Sequence, residues 1–258
     1  MNRIAQLFKE KKNILSIYYT AGFPQLTDTL PILETLEKAG ADLVEIGMPF
    51  SDPLADGPTI QQSGQTALKN GMTINLLFEQ LADLRPQLSI PVILMGYFNP
   101  VHKFGMERFV EQCRKTGVDG VIIPDLPFDE YREKYEALFT QAGISNIFLI
   151  TPQTPEERIK LIDKNSNGFI YMVSSASVTG TKKEISEQQT RYFKRINNMQ
   201  LASPRLIGFG ISDRASFQKA CDYAAGAIVG SAFINLLNNE GNNPEKISDF
   251  IQSIKKTN

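Results

Sequence analysis

The 258-residue chain is 42% hydrophobic and 21% charged, which supplies a large core for one α/β domain or two smaller ones. Lys and Arg total 27 against 28 Asp and Glu, so there is no basic excess to hold a nucleic-acid backbone and no acidic tail. The N-terminal stretch MNRIAQLFKEKKN lacks the apolar run of a signal peptide, and no run approaches the roughly 20 residues of a membrane span, so a cytosolic (cytoplasmic) protein is expected.

In chain order, residues 2–11 form an amphipathic segment ahead of the first β-rich run. Eight such runs follow, at 14–20, 41–48, 91–97, 119–125, 145–151, 168–174, 204–210 and 225–231. Between them lie stretches of helical periodicity, among them TLPILETLEKAG, TINLLFEQLADL, MERFVEQCRKTG, YREKYEALFTQAG, PEERIKLIDKN and DRASFQKACDYA, several ending on a Gly C-cap. Alternating β and α with eight strands predicts a single (β/α)8 barrel domain over 1–258, its extra N-terminal helix closing the bottom. A doubly wound open sheet is the rival, and no composition shift or linker marks a second domain. Cys113 and Cys221 fall in separate helix-like segments, which predicts free thiols and no bridge.

The run ADLVEIGM contains a glutamate. Alternation places Leu43, Glu45 and Gly47 on one side and Val44, Ile46 and Met48 on the other, so Glu45 points where a core residue is expected. A buried carboxylate is costly unless it is bonded, or its pKa rises. It is therefore either a structural carboxylate or, at the C-terminal end of a barrel strand, an active-site group. The glycine-rich turns IGFGIS and IVGSAF end the last two runs, where barrels hold phosphate on backbone N–H groups and a helix N-terminus.

Elimination narrows the chemistry. The one histidine, His102, sits in the expected loop NPVHKFG, so no multi-histidine metal site can be assembled. No run carries a lysine for a Schiff base, and no G-x-S-x-G, P-loop or C-x-x-C is present. Acid/base chemistry on a phosphorylated small molecule, without cofactor or metal, fits what remains. A sugar-phosphate isomerase, a thiamine phosphate synthase-like transferase and a silent partner-activating subunit stay open alternatives.

The stretch VEIGMPFSDPLADGPTIQ resembles the signature of the tryptophan synthase alpha subunit family, and TAGFP, MGYFNPV, IIPDLP, SVTG, GFGIS and VGSA follow in matching order over nearly the whole chain. The resemblance implies a lyase of tryptophan biosynthesis. Its reaction is the cofactor-independent retro-aldol cleavage of indole-3-glycerol phosphate to indole and glyceraldehyde 3-phosphate. Glu45 is then the proton-transfer residue and Asp56 stabilises charge at the indole N–H. Tyr18, Ile60, Met95, Ile122 and Tyr171 wall the indole pocket, with plain barrel core as the competing reading for the aromatics. Phe209, Gly210, Gly230 and Ser231 cradle the phosphate. In a lid spanning 174–190, expected to be mobile, Thr179 meets the loop aspartate and Gly180 lies near phosphate. The family's partner is a beta subunit that uses pyridoxal phosphate, docked in an alpha2beta2 assembly, with Pro49, Asp52 and Pro53 near the contact. Three departures stand out: Phe23 for an aspartate, Tyr18 where phenylalanine is common, and Ser177 for a glycine, which bears on lid closure.

Overall fold

The computed structural model describes residues 2–53, 56–173, 186–208 and 210–255. Its strands are β1 (Ile14–Thr20), β2 (Leu43–Gly47), β3 (Val92–Met95), β4 (Gly120–Ile122), β5 (Ser145–Asn146), β6 (Phe148–Ile150), β7 (Ile170–Val173), β8 (Arg205–Gly208) and β9 (Gly226–Val229). All pair in parallel, in the order β5-β4-β3-β2-β1-β9-β8-β7-β6. The two ends of that order are separated by one residue of chain, Ile147, whose N–H donates to the Val121 carbonyl at 2.9 Å. The sheet therefore closes on itself: β5 and β6 are two pieces of one barrel strand, the first bonded to β4 and the second to β7. The expected run 145–151 is thus one strand with an interruption, and the expected (β/α)8 barrel is the observed architecture.

The helices are α1 (Arg3–Glu10), α2 (Thr29–Ala39), α3 (Pro58–Lys69), α4 (Ile74–Gln80), α5 (Leu84–Gln87), α6 (Phe98–Phe104), α7 (Met106–Thr116), α8 (Phe128–Glu130), α9 (Glu136–Ala142), α10 (Glu156–Asn165), α11 (Glu187–Asn198), α12 (Arg214–Cys221), α13 (Ser231–Glu240) and α14 (Pro244–Lys255). A π-turn over Tyr131–Tyr135 joins α8 to α9. Gly40, Gly117 and Gly143 close α2, α7 and α9 in the left-handed region, as the Gly-terminated periodic stretches predict. His102 stands exposed on α6, a helix where a loop was expected. No helix of the described residues is long and apolar enough to cross a membrane.

Alternation along the strands divides the apolar residues into two cores. Leu15, Ile17, Tyr19, Val44, Ile46 and Met48 face outward to the helices, while Ile14, Leu43, Ile93, Ile122, Phe169, Tyr171, Leu206 and Ile228 fill the barrel. The amphipathic segment expected to close the bottom does so: Ile4, Leu7 and Phe8 of α1 join the inner core, with the Phe8 and Phe169 rings 5.6 Å apart. Two buried carboxylates tie that end together. Asp119 accepts from Arg3, Arg85 and the Val92 N–H, and Asp42 accepts from Lys11, Lys255 and the Leu15 N–H. Stability concentrated at the bottom leaves the upper ends of the strands free to carry chemistry. Both thiols are free, with Cys113 buried and Cys221 half-buried.

Candidate active site

Glu45 is wholly buried and lies in the inward-facing series of β2, level with Tyr18 of β1 and Ile93 of β3. The inward direction read from alternation is therefore observed. Its Oε1 accepts from the Ser16 hydroxyl at 2.8 Å, whereas Oε2 is buried without a hydrogen-bond partner. Burial raises its pKa from 4.5 to about 7, and the Ser16 hydrogen bond opposes that rise.

Asp56 lies at the end of the loop that leaves β2, just before α3, and is half-buried. Burial lifts its pKa from 3.8 to about 6, opposed by a hydrogen bond from Tyr97. The loop is stitched from α3: Gln61 Nε2 donates to the Asp56 carbonyl at 2.8 Å and to the Pro53 carbonyl at 3.3 Å. The Asp56 N–H reaches back to the Pro53 carbonyl at 3.2 Å. Below it, Thr20 and Ser63 share a buried hydroxyl contact of 2.6 Å that pins α3 to the top of β1.

Two tyrosines occupy the space between these carboxylates and the barrel wall. A Cβ on Gly47 would lie 2.0 Å from the Tyr18 hydroxyl, and one on Gly208 would lie 2.2 Å from the Tyr171 hydroxyl. Each glycine is thus required by the phenol laid across its strand. Burial, and then the negative fields of the two carboxylates, hold both phenols protonated: Asp56 is the larger influence of the pair at Tyr18, and Glu45 at Tyr171. Tyr18, Met95, Ile122 and Tyr171 all pack with the inner core. Ile60 does not join them: it packs on the edge of the outer core from the first turn of α3.

Across Tyr18 lies the opposite half of the mouth. A Cβ on Gly230 would make ordinary contact with Tyr18 at 3.7 Å, so the end of β9 adjoins the same ring. Gly230 and Ser231 start α13, which has no side-chain cap. The Phe233 N–H turns back to the Gly230 carbonyl at 2.9 Å, while the N–H groups of Ser231 and Ala232, as at any helix start, have no carbonyl a turn back within the helix. By contrast, α12 after β8 is closed by its own Asp213, which accepts from the Ser216 N–H at 2.9 Å. Gly210 lies in the turn between β8 and α12. Phe209, Thr179, Gly180 and Ser177 fall outside the described residues. The expected lid boundary needs correction: residues 187–190 belong to α11, which Ser186 and Gln189 open as a reciprocal capping box.

Pro49, Asp52 and Pro53 occupy the outer part of the loop, with Asp52 exposed and both prolines half-buried. Phe50 between them stacks on Tyr97, ring centroids 5.3 Å apart. Phe23, which departs from the family pattern, is buried in the outer core. Ser16, Tyr97 and Gln61 were not singled out from sequence; Tyr97 carried a signal there in MGYFNPV, and Gln61 as the last residue of VEIGMPFSDPLADGPTIQ, whereas Ser16 carried none. Among the described residues, no three His, Cys, Asp or Glu side chains gather where they could hold a metal ion.

Residues 4–257 match the family model described as tryptophan synthase alpha chain. The chain is 56% identical over 255 residues to the tryptophan synthase alpha chain of Christiangramia forsetii, with 99% of each covered. It is 56% identical over 254 residues to that of Flavobacterium psychrophilum, covering 98% of this chain and 100% of the relative. Among solved structures it resembles a chain of the tryptophan synthase complex from Pyrococcus furiosus, at 34% identity and a TM-score of 0.86, with 95% of this chain and 98% of that one covered.

Proposed function

The chain belongs to the tryptophan synthase alpha chain family and is a lyase subunit of tryptophan biosynthesis, and we propose that Glu45 and Asp56 carry out its retro-aldol cleavage of indole-3-glycerol phosphate. The observation that carries the assignment is a fully buried Glu45 whose pKa is raised to about 7, beside a loop carboxylate raised to about 6. Near neutral pH the first is half protonated and the second mostly ionised, so the two carboxyls stand ready for different tasks.

Direct scission of the bond to indole C3 would expel a poor carbanion. Protonated Glu45 gives its proton to C3, and the ring becomes an electron-accepting indolenine cation. Ionised Asp56 stabilises the positive charge at the ring N–H. The resulting Glu45 carboxylate then takes the proton of the adjacent glycerol hydroxyl. The carbon–carbon bond breaks, its electron pair returns to the ring, and indole and glyceraldehyde 3-phosphate leave. Glu45 ends as it began, protonated. The uncapped N-terminus of α13 at Gly230 and Ser231 supports an anion site for the phosphate, facing the carboxylates across Tyr18. Tyr18, Met95, Ile122 and Tyr171 wall the indole side, with Ile60 at the rim from α3.

The partner is a tryptophan synthase beta subunit, in an alpha2beta2 assembly in the cytosol, docked on the outer loop at Pro49, Asp52 and Pro53. The loop's exposed Asp52 and its direct continuation into Asp56 support that placement.

Glu45→Gln keeps size and removes proton transfer. Cleavage, read as indole release, is expected to fall by about 10²- to 10⁴-fold with ligand binding retained. Retention of more than about a tenth of the rate would overturn the role of Glu45 on that scale.

A further inference from the structure

Ser16 lies one inward-facing step below Tyr18 on β1, the residue level with Glu45. Ser16 is flanked in register by Leu43 on β2 and Ile228 on β9, both buried in the inner core. Ser16 itself is wholly buried, and its hydroxyl donates to Glu45 Oε1 at 2.8 Å. A hydroxyl surrounded by aliphatic side chains is costly unless it is bonded, and this one is bonded to the proposed acid/base group. The other carboxyl oxygen, Oε2, has no partner and is equally buried.

We propose that Ser16 is a positioning residue for Glu45, fixing Oε1 on β1 and leaving Oε2 as the oxygen that gives and takes the proton. The inference deepens the assignment of Glu45 and rests on it. Because the bond is made by a donor, it favours the ionised carboxylate. It therefore holds the carboxyl within reach of both protonation states near neutral pH, where burial alone would leave it protonated. The titratable groups that share its field are Tyr18 on β1, Tyr171 on β7 and Asp56 on the loop after β2. Both phenols stay protonated to high pH, so among these groups of the described residues it is Asp56, raised to about 6, that changes charge between pH 5 and 8.

The test is a ¹³C NMR titration of the full chain labelled at glutamate Cδ, with the Glu45 signal identified by its loss in Glu45→Gln. Ser16→Ala removes only one buried oxygen and keeps the aliphatic packing. It is expected to raise the Glu45 midpoint by about one pH unit, the scale of a lost hydrogen bond to a charged group. The alkaline limb of the cleavage profile is expected to move up with it. Ile228→Val, which loosens the same layer without touching a hydroxyl, is expected to leave the midpoint in place. An unchanged midpoint in Ser16→Ala, or an equal shift in Ile228→Val, overturns the proposal. Absence of indole release by the wild-type chain would instead strike the lyase mechanism assigned to Glu45 and leave the titration result standing, so the two failures are distinguishable.

Discussion

At the scale of single residues, Glu45 exchanges stability for chemistry. Its folded-state pKa of about 7 lies above the 4.5 of an ordinary glutamate, so between those values the folded chain binds more protons than the unfolded one. Stability from this group is complete below pH 4.5 and is lost as pH rises through about 7. The shift corresponds to on the order of 3 kcal/mol. Glu45→Gln is therefore expected to gain stability relative to wild type between pH 4.5 and 8, measured as the difference in urea-unfolding free energy. A difference flat with pH would mean that Glu45 titrates normally. The inward aim of Glu45 was legible because strand alternation is local and has period two. Its bond to Ser16 was not, because the pairing of β1 with β2 joins positions 29 residues apart and register is a non-local property. The same holds for Tyr97, whose bond to Asp56 crosses from the end of β3 to the loop after β2.

Elements carry the geometry that single residues use. The loop after β2 presents Asp56 because α3 grips it: the Gln61 side chain donates to two carbonyls of the loop, at Pro53 and at Asp56. Gln61→Ala keeps a strong helix former on α3 while releasing both bonds. With the two bonds contributing about 1 kcal/mol each, kcat is expected to fall by up to about thirtyfold, with the melting temperature lowered by no more than about 8 °C. Steady-state indole release beside a thermal melt checks this, and unchanged kcat would show that the prolines alone set the loop. Strand and helix order were readable because each run has its own period and several helices, α2, α7 and α9 among them, end on a glycine. The break of the fifth barrel strand at Ile147 was not, since Phe148, Leu149 and Ile150 continue the same β-rich composition. The start of α11 was legible in principle: Ser186 three residues before Gln189 is the capping-box spacing, masked by the polar composition that reads as a mobile lid. The exposed His102 sits between Pro100 and Gly105, two turn residues that draw a short helix toward a loop reading.

For the whole molecule, the division of labour between the two ends of the barrel bears on regulation. The bottom is sealed by α1 and by the ion pairs of Asp42 and Asp119, whereas the proposed docking loop meets the active site through a short physical chain. Phe50, flanked by the docking residues, stacks on Tyr97, and Tyr97 in turn bonds Asp56. A beta subunit that settles on Pro49, Asp52 and Pro53 can therefore set the Phe50–Tyr97 stack and, through it, the reach of Asp56 toward the indole N–H. Coupling of this kind is reciprocal, so glycerol phosphate or a substrate mimic in the alpha site should tighten the complex by the factor with which the partner tightens ligand binding. Couplings of about 1–3 kcal/mol are typical, or roughly 5- to 150-fold. Asp52→Ala is expected to weaken activation by the beta subunit far more than it weakens the isolated subunit's residual rate, because Asp52 is exposed and touches no proposed catalytic group. Tyr97→Phe should do the reverse work from inside: it keeps the ring stacked on Phe50 but removes the hydrogen bond, so Asp56 is expected to titrate above 6 and the acid limb of the cleavage profile to move up. The decisive measurement is a beta-subunit titration of the cleavage rate for wild type, Asp52→Ala and Tyr97→Phe beside a direct binding curve for each. If Asp52→Ala binds and is activated like wild type, the loop serves Asp56 alone and docking lies elsewhere; if Tyr97→Phe binds normally yet is activated less, the stack and its hydrogen bond are the route by which the partner reaches the carboxylate.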